Sequence, residues 1–212
     1  NDNTAVGAGA MYSNTTGTQN VAVGHGVTGV RQGALSSNTT GSNNTALGGE
    51  ALHSNTTASN NTAVGYQAGY SNTTGGDNVA LGRMTLYSSS TGGNNVAIGG
   101  RALYTANGAN NNVAVGVESQ RYTTTGGQNI SVGTYALYSN TTSSYNTAIG
   151  YTALFYNTGG YNTAVGSEAL GSNTTASNST AVGYRALYAN TASGNTAVGY
   201  NAAVSTTSGT GN

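Results

Sequence analysis

Cysteine, proline, tryptophan and lysine are all missing from this 212-residue chain, and phenylalanine occurs once. Without cysteine there is no disulfide framework, no thiolate metal site and no thiol nucleophile. Charge is nearly as scarce: five arginines face five acidic residues, for a formal net charge of zero. Neutralising phosphates requires a basic stripe, so nucleic acid is not an expected partner, and a polybasic membrane patch is lacking for the same reason. No apolar run approaches the roughly 18 residues of a membrane span, and no charged segment followed by an apolar one opens the chain, so membrane insertion is not expected. The first residue is Asn1, as expected of a processed chain or a piece of a longer one.

What is present is 34 glycines, 15 tyrosines and long tracts of asparagine, threonine and serine. Such a composition suits disorder, because few large apolar side chains oppose the entropy of ordering. A regular period argues the other way. A phrase of the type Asn-Thr-Ala-Val-Gly recurs twelve times, beginning at Asn3, Asn20, Asn44, Asn61, Asn78, Asn95, Asn112, Asn129, Asn146, Asn162, Ser179 and Asn195. The spacing is 17 residues, with one seven-residue insertion near 27–33 and two single deletions. Near-constant spacing over the whole length identifies one repeat domain spanning 1–212.

With the first residue of each phrase as coil position one, position five is always glycine: Gly7, Gly24, Gly48, Gly65, Gly82, Gly99, Gly116, Gly133, Gly150, Gly166, Gly183 and Gly199. A glycine at every repeat marks a turn with positive φ or a spot too crowded for a Cβ. Position four is always aliphatic, position three is Ala except at Ser131, and position two is almost always Thr or Val. Together they predict a short alternating β-strand ended by glycine. Position eight is mostly Ala and position nine is Leu in eight coils, at Leu35, Leu52, Leu86, Leu103, Leu137, Leu154, Leu170 and Leu187. This pair reads as a second strand. Tyrosine often follows, and the coil closes on Ser-Asn-Thr-Thr-Gly or a variant, residues suited to turns.

Seventeen residues are too few for a βαβ unit, so the expected fold is all-β: a parallel β-solenoid, or β-roll, of about twelve coils. At about 4.8 Å per coil the rod is roughly 55 to 60 Å long. Position seven holds Glu50, Arg101, Glu118, Glu168 and Arg185, half of the chain's charges, and is expected to face water. If the strand runs on from there, position eight points in and position nine points out. That parity puts the leucine ladder on an outer face, as a candidate interface for self-association.

The phrases NNTAVGYQAGYSNTTGG (60–76) and YNTAIGYTALFYNTGG (145–160) resemble the head repeats of trimeric autotransporter adhesins and similar repeats of phage tail fibres. The resemblance extends over nearly the whole chain. It implies a left-handed β-roll with three chains around a common axis, self-associating, and extracellular, on a cell surface or in a virion. The coils here depart from the adhesin pattern in being longer, with an added Tyr-Ser-Asn-Thr-Thr-Gly arm.

For chemistry the residues offer little. His25 and His53 occupy different coil positions, so no metal ligand pair is expected. The carboxylates Asp2, Glu50, Asp77, Glu118 and Glu168 are scattered, and three share one ladder several coils apart, too far for joint acid–base work. No catalytic residue and no cofactor is expected. Candidate surface contacts are Arg31, which sits in the insertion, and Tyr66, Tyr151, Tyr184 and Tyr200 at position six, whose rings suit stacking either on sugars or on one another. The asparagines at Asn14, Asn38, Asn55, Asn72, Asn140 and Asn173 stand in glycosylation sequons, and read as glycan acceptors in a eukaryotic secretory setting or as turn residues otherwise. The expected function is a non-enzymatic structural fibre or surface-adhesin shaft or head. The alternatives are a head-to-tail extracellular filament subunit and an ice- or glycan-binding solenoid. The expected partner is a further copy of the chain, with a host-surface glycan or receptor as a second.

Overall fold

The computed structural model describes residues 2–26, 32–206, 209 and 211, so the core of the insertion, Arg31 included, lies outside the described residues. The twelve phrases form twelve three-residue strands: β1 Thr4–Val6, β2 Val21–Val23, β3 Thr45–Leu47, β4 Thr62–Val64, β5 Val79–Leu81, β6 Val96–Ile98, β7 Val113–Val115, β8 Ile130–Val132, β9 Thr147–Ile149, β10 Thr163–Val165, β11 Thr180–Val182 and β12 Thr196–Val198. They pair in sequence order into one parallel sheet, each residue opposite its equivalent in the next coil, as with Ala97 and Ala114. The chain is therefore an all-β parallel solenoid, with no helix among the described residues.

Each strand stops after three residues because position five cannot continue it. The twelve phrase glycines have φ between +119° and +153°, a region closed to side chains with a Cβ. Beyond the turn the expected second strand does not form. Positions seven and nine are left-handed, as at Glu50 (φ 58°) and Leu52 (50°), and at Arg101 (59°) and Leu103 (48°). Two successive tight turns result: the Ala51 N–H donates to Gly48 O (3.3 Å) and the Asn55 N–H to Leu52 O (3.1 Å).

Those left-handed residues correct the placement of the leucine ladder. Parity counting holds only for extended backbone, and here a left-handed residue stands on each side of position eight. Positions eight and nine consequently both point inward. Leu35, Leu52, Leu86, Leu103, Leu137, Leu154, Leu170 and Leu187 are all buried, packed with the position-three and position-eight alanines. They are the core of the rod and not an outer interface, each worth about 2 kcal/mol of burial. The left-handed backbone costs a Leu about 1 kcal/mol, so the position is favourable on balance.

The apolar core is divided into two clusters at one place. Ser119, Gln120 and Ser131 replace Ala, Leu and Ala in adjacent coils and are fully buried. Ser119 Oγ bonds Ser131 Oγ, and Gln120 Nε2 donates to Ser131 Oγ (2.8 Å) and Val113 O (2.9 Å). This polar plug separates the two apolar clusters.

Asparagine forms the rest of the interior. Position one is buried from the second coil onward, and its amide relays between coils: Asn112 Nδ2 donates to Gly126 O (3.0 Å) and Asn95 Oδ1 (3.2 Å), while Asn112 Oδ1 accepts the Asn129 N–H (3.0 Å). A second ladder runs along position twelve, where Asn55 Nδ2 donates to Asn38 Oδ1 (2.8 Å) and Ala58 O (3.0 Å). Four of the sequon asparagines, Asn38, Asn55, Asn140 and Asn173, are completely buried and their Nδ2 atoms are hydrogen-bonded. A glycan on those nitrogens is incompatible with the folded coil.

Candidate functional site

Two surfaces stand out on the rod, and both follow from the strand and the turn. In each strand position three is the inward residue, so positions two and four alternate to the opposite face and look outward. Every residue on that outer face is Thr, Val, Leu or Ile, and none is charged. Leu47, Leu81, Val132 and Ile149 are among the exposed aliphatics of position four, and Val21, Val79 and Ile130 among those of position two. The flat aliphatic ladder expected from the leucines is thus supplied instead by the strand residues.

The second surface lies across the glycine turn, where positions six, seven, ten and eleven form a flank. Position ten is an aromatic stack. His53, Tyr70, Tyr87 and Tyr104 lie face to face, with successive centroids 4.9, 5.1 and 5.1 Å apart. The spacing is set by the coil rise of about 4.8 Å. Arg121 then takes the aromatic's place, its guanidinium 5.7 Å from the Tyr104 ring and 5.2 Å from Tyr122, and the stack resumes with Tyr138 on Phe155 at 4.9 Å. At Gly171 it breaks, and Tyr188 follows, carrying the Arg185 guanidinium 4.4 Å from its ring.

Five charges on this flank are matched within it. Glu118 takes Arg121 at 2.8 Å and Arg101 at 3.3 Å, and Glu168 faces Arg185 at 3.4 Å, an ion pair without aligned hydrogen-bond geometry. Burial opposes the Arg121 charge, but the hydrogen bond and the charge of Glu118 outweigh it and hold the guanidinium above its ordinary pKa. Position seven is less open than expected. Glu50 is buried and accepts from Gln67 Nε2 (2.7 Å), because each coil's side chain lies along the next.

Burial lowers the His53 pKa, with Glu50 partly opposing the shift. The sign follows: below pH 6.5 the unfolded chain takes up a proton that the folded chain resists. Stability is therefore complete above about pH 6.5 and declines as pH falls through the window down to the lowered folded value. Replacing His53 with Tyr, the residue three neighbouring coils use, is expected to remove that component of the slope, read from urea midpoints between pH 5 and 7.5.

A cleft of about 500 Å³ opens on the flank where the stack is broken. Of the tyrosines expected as surface contacts, Tyr151 lines it, while Tyr66, Tyr184 and Tyr200 lie elsewhere along the rod. All four are exposed, and Tyr184 stacks on Tyr200 at 5.4 Å. No family model, curated protein or solved structure matches the chain. The site therefore rests on its own geometry. Glu118 and Glu168 both reach the cleft, yet they belong to coils three apart, about 14 Å along the rod. Among the described residues no three His, Cys, Asp or Glu side chains gather as metal ligands. The sequence signal for the cleft was present but unread: a glycine at position ten, residue 171, where coils on either side carry Phe155 and Tyr188.

Proposed function

We propose that the chain is a non-enzymatic structural protein that works by packing copies of itself along the outer face of its sheet, as a fibre shaft or as the shaft or head of a surface adhesin. One observation carries the reading: the uncharged ladder of exposed and half-buried Val, Leu and Ile that runs along the twelve strands. Eleven coil rises by three strand residues give a footprint of about 53 by 10 Å. Two copies would cover about 1,000 Å² between them, the size at which specific interfaces begin. No charge stands in the way of close approach, and a flat parallel ladder presents the same rungs to every copy. Glu118 and Glu168 are tied to arginines and Glu50 accepts from Gln67, which supports a structural over a catalytic role. The resemblance to adhesin heads and tail fibres supports a trimer and an extracellular, cell-surface or virion setting.

The test is the oligomeric state of the whole chain by sedimentation across a concentration series, with Leu81→Asp and Ile149→Asp combined as the variant. Both side chains are exposed in the single chain, so the coil should fold unchanged. Burying an unpaired carboxylate in an interface costs about 3 kcal/mol or more, so association is expected to weaken at least about a hundredfold. A monomeric wild-type chain at high concentration would overturn the proposal. Open-ended polymers in micrographs would select the head-to-tail filament, and thermal hysteresis an ice-binding array of the outer threonines.

A further inference from the structure

We infer that the cleft beside Gly171 is a binding site for a neutral saccharide ring. The cleft exists because one rung of an aromatic ladder is missing. Position ten carries Tyr138 and Phe155, then Gly171, then Tyr188. Phe155 and Tyr188 are thus anchored two coils apart, about 10 Å, which is twice the stacking distance found between Tyr138 and Phe155. The vacated rung leaves space that opens into the cleft. Tyr188 closes its far side by leaning over the glycine, where a Cβ would lie 3.1 Å from Tyr188 Cε2. Tyr156 stands edge-on to Phe155 at 4.6 Å and Tyr135 edge-on to Tyr138 at 5.5 Å, so the walls meet the floor at a steep angle. Tyr151 and Tyr156 are each 55% exposed, leaving ring faces open to a ligand.

The chemistry of the rim selects the class. Glu118 and Glu168 both line the cleft, but Arg101 and Arg121 neutralise the first and Arg185 the second. A cationic ligand would have to displace guanidinium groups from their carboxylates, and an anionic one would meet those carboxylates directly. A neutral ring with one C–H face and a hydroxyl edge meets neither difficulty. Its C–H face lies on aromatic rings, as Tyr surfaces allow at low entropic cost. Its hydroxyls donate to carboxylate oxygens and exchange hydrogen bonds with the Thr152 and tyrosine hydroxyls. A volume of about 500 Å³ is within the range of small-ligand sites. The site lies across the glycine turn from the outer sheet face, so it does not depend on the packing of copies along that face.

The experiment is saturation-transfer NMR on the whole chain with methyl hexosides and methyl N-acetylhexosaminides, which represent a chain-terminal sugar, and with a neutral tetrasaccharide, which represents an internal one. Transfer to ring C–H protons from either kind of probe is expected. Two variants locate it. Gly171→Tyr restores the missing rung with the residue most common at that position, and Tyr156→Ala removes an exposed wall. Each is expected to weaken binding about tenfold, Tyr156→Ala while leaving the thermal midpoint of unfolding near that of the wild type. If Gly171→Tyr proves unstable, Tyr156→Ala alone decides. Absence of transfer from every saccharide would overturn the inference, as would transfer unaffected by Tyr156→Ala. Stronger binding of tetramethylammonium than of any sugar would also overturn it, making the cleft a cation cage.

Discussion

Gly116→Ala is expected to destabilise the rod by about 4 kcal/mol or more, the range reserved for single substitutions that strike a specific structural requirement. Two costs combine at this position. The backbone has φ of +135°, which strains any residue with a Cβ by about 1–3 kcal/mol. The added Cβ would also lie 2.5 Å from Gly133 O and 2.6 Å from Gly133 C. Those are backbone atoms of the next coil, held by ladder hydrogen bonds on both sides, and they cannot yield without shifting the stack. Two other glycines separate the contributions. Gly199 shares the conformation at φ +132°, but a Cβ there meets only Ala202 Cβ at 3.8 Å, so Gly199→Ala should show the backbone cost alone. A Cβ on Gly100 meets nothing within 4 Å and its φ is unexceptional, so Gly100→Ala should be neutral or stabilise by about 0.4–1 kcal/mol through the unfolded chain. Urea denaturation of the three variants would order them as Gly116, then Gly199, then Gly100. If Gly116→Ala unfolds at the wild-type midpoint, neither the positive φ nor the close stacking describes the coil in solution. Because each coil touches only its neighbours, the central lesion is also expected to split the transition, with the halves on either side of β7 melting separately.

The repeat made the fold legible because its signals are local. Three strand residues and a glycine, returning every 17 positions, need only parallel stacking to become twelve strands in register. The sidedness of Leu103 or Leu137 was not legible in the same way. It depends on left-handed backbone at Arg101 and Leu103, or Tyr135 and Leu137, and Arg, Leu and Tyr carry no sequence mark for that conformation, unlike glycine. The error had a consequence for function, since it assigned the interface to residues that are the core and left Leu81 and Ile149 unassigned. The aromatic cleft was hidden for a different reason. Tyr138, Phe155 and Tyr188 look like repeats of a surface residue, and the gap at Gly171 gains meaning only when the rungs are seen stacked.

Asn112→Leu is the other substitution from which a large effect is expected, about 3–5 kcal/mol, although it keeps the number and branching of the side-chain heavy atoms and adds apolar surface. A rule that apolar residues stabilise interiors predicts the opposite sign, so the measurement discriminates. Asn112 is fully buried, and its amide serves two coils and its own turn. Without Oδ1, the Asn129 N–H loses its acceptor at 3.0 Å and Asn129 Nδ2 one at 3.2 Å. Without Nδ2, Gly126 O loses a donor at 3.0 Å. Each buried group left unsatisfied costs about 1–3 kcal/mol, whereas the extra burial of a leucine offsets only part of that. The ladder also shows what a replacement would need. Where Ser179 stands in the asparagine's place, Asn190 from position twelve turns inward and donates to Ser179 Oγ at 3.3 Å, and bonds the next rung through Asn195 Nδ2 at 3.2 Å. In the coil of Asn112 position twelve is Thr123, too short to make that bridge. Asn112→Ser is therefore expected to fail nearly as badly as Asn112→Leu, and Asn112→Ser combined with Thr123→Asn to recover part of the loss. Hydrogen exchange at the Asn129 amide gives the decisive reading. Protection there should drop sharply in Asn112→Leu, and a slow Asn129 amide in that variant would mean that the backbone stack, and not the asparagine relay, holds the coils together.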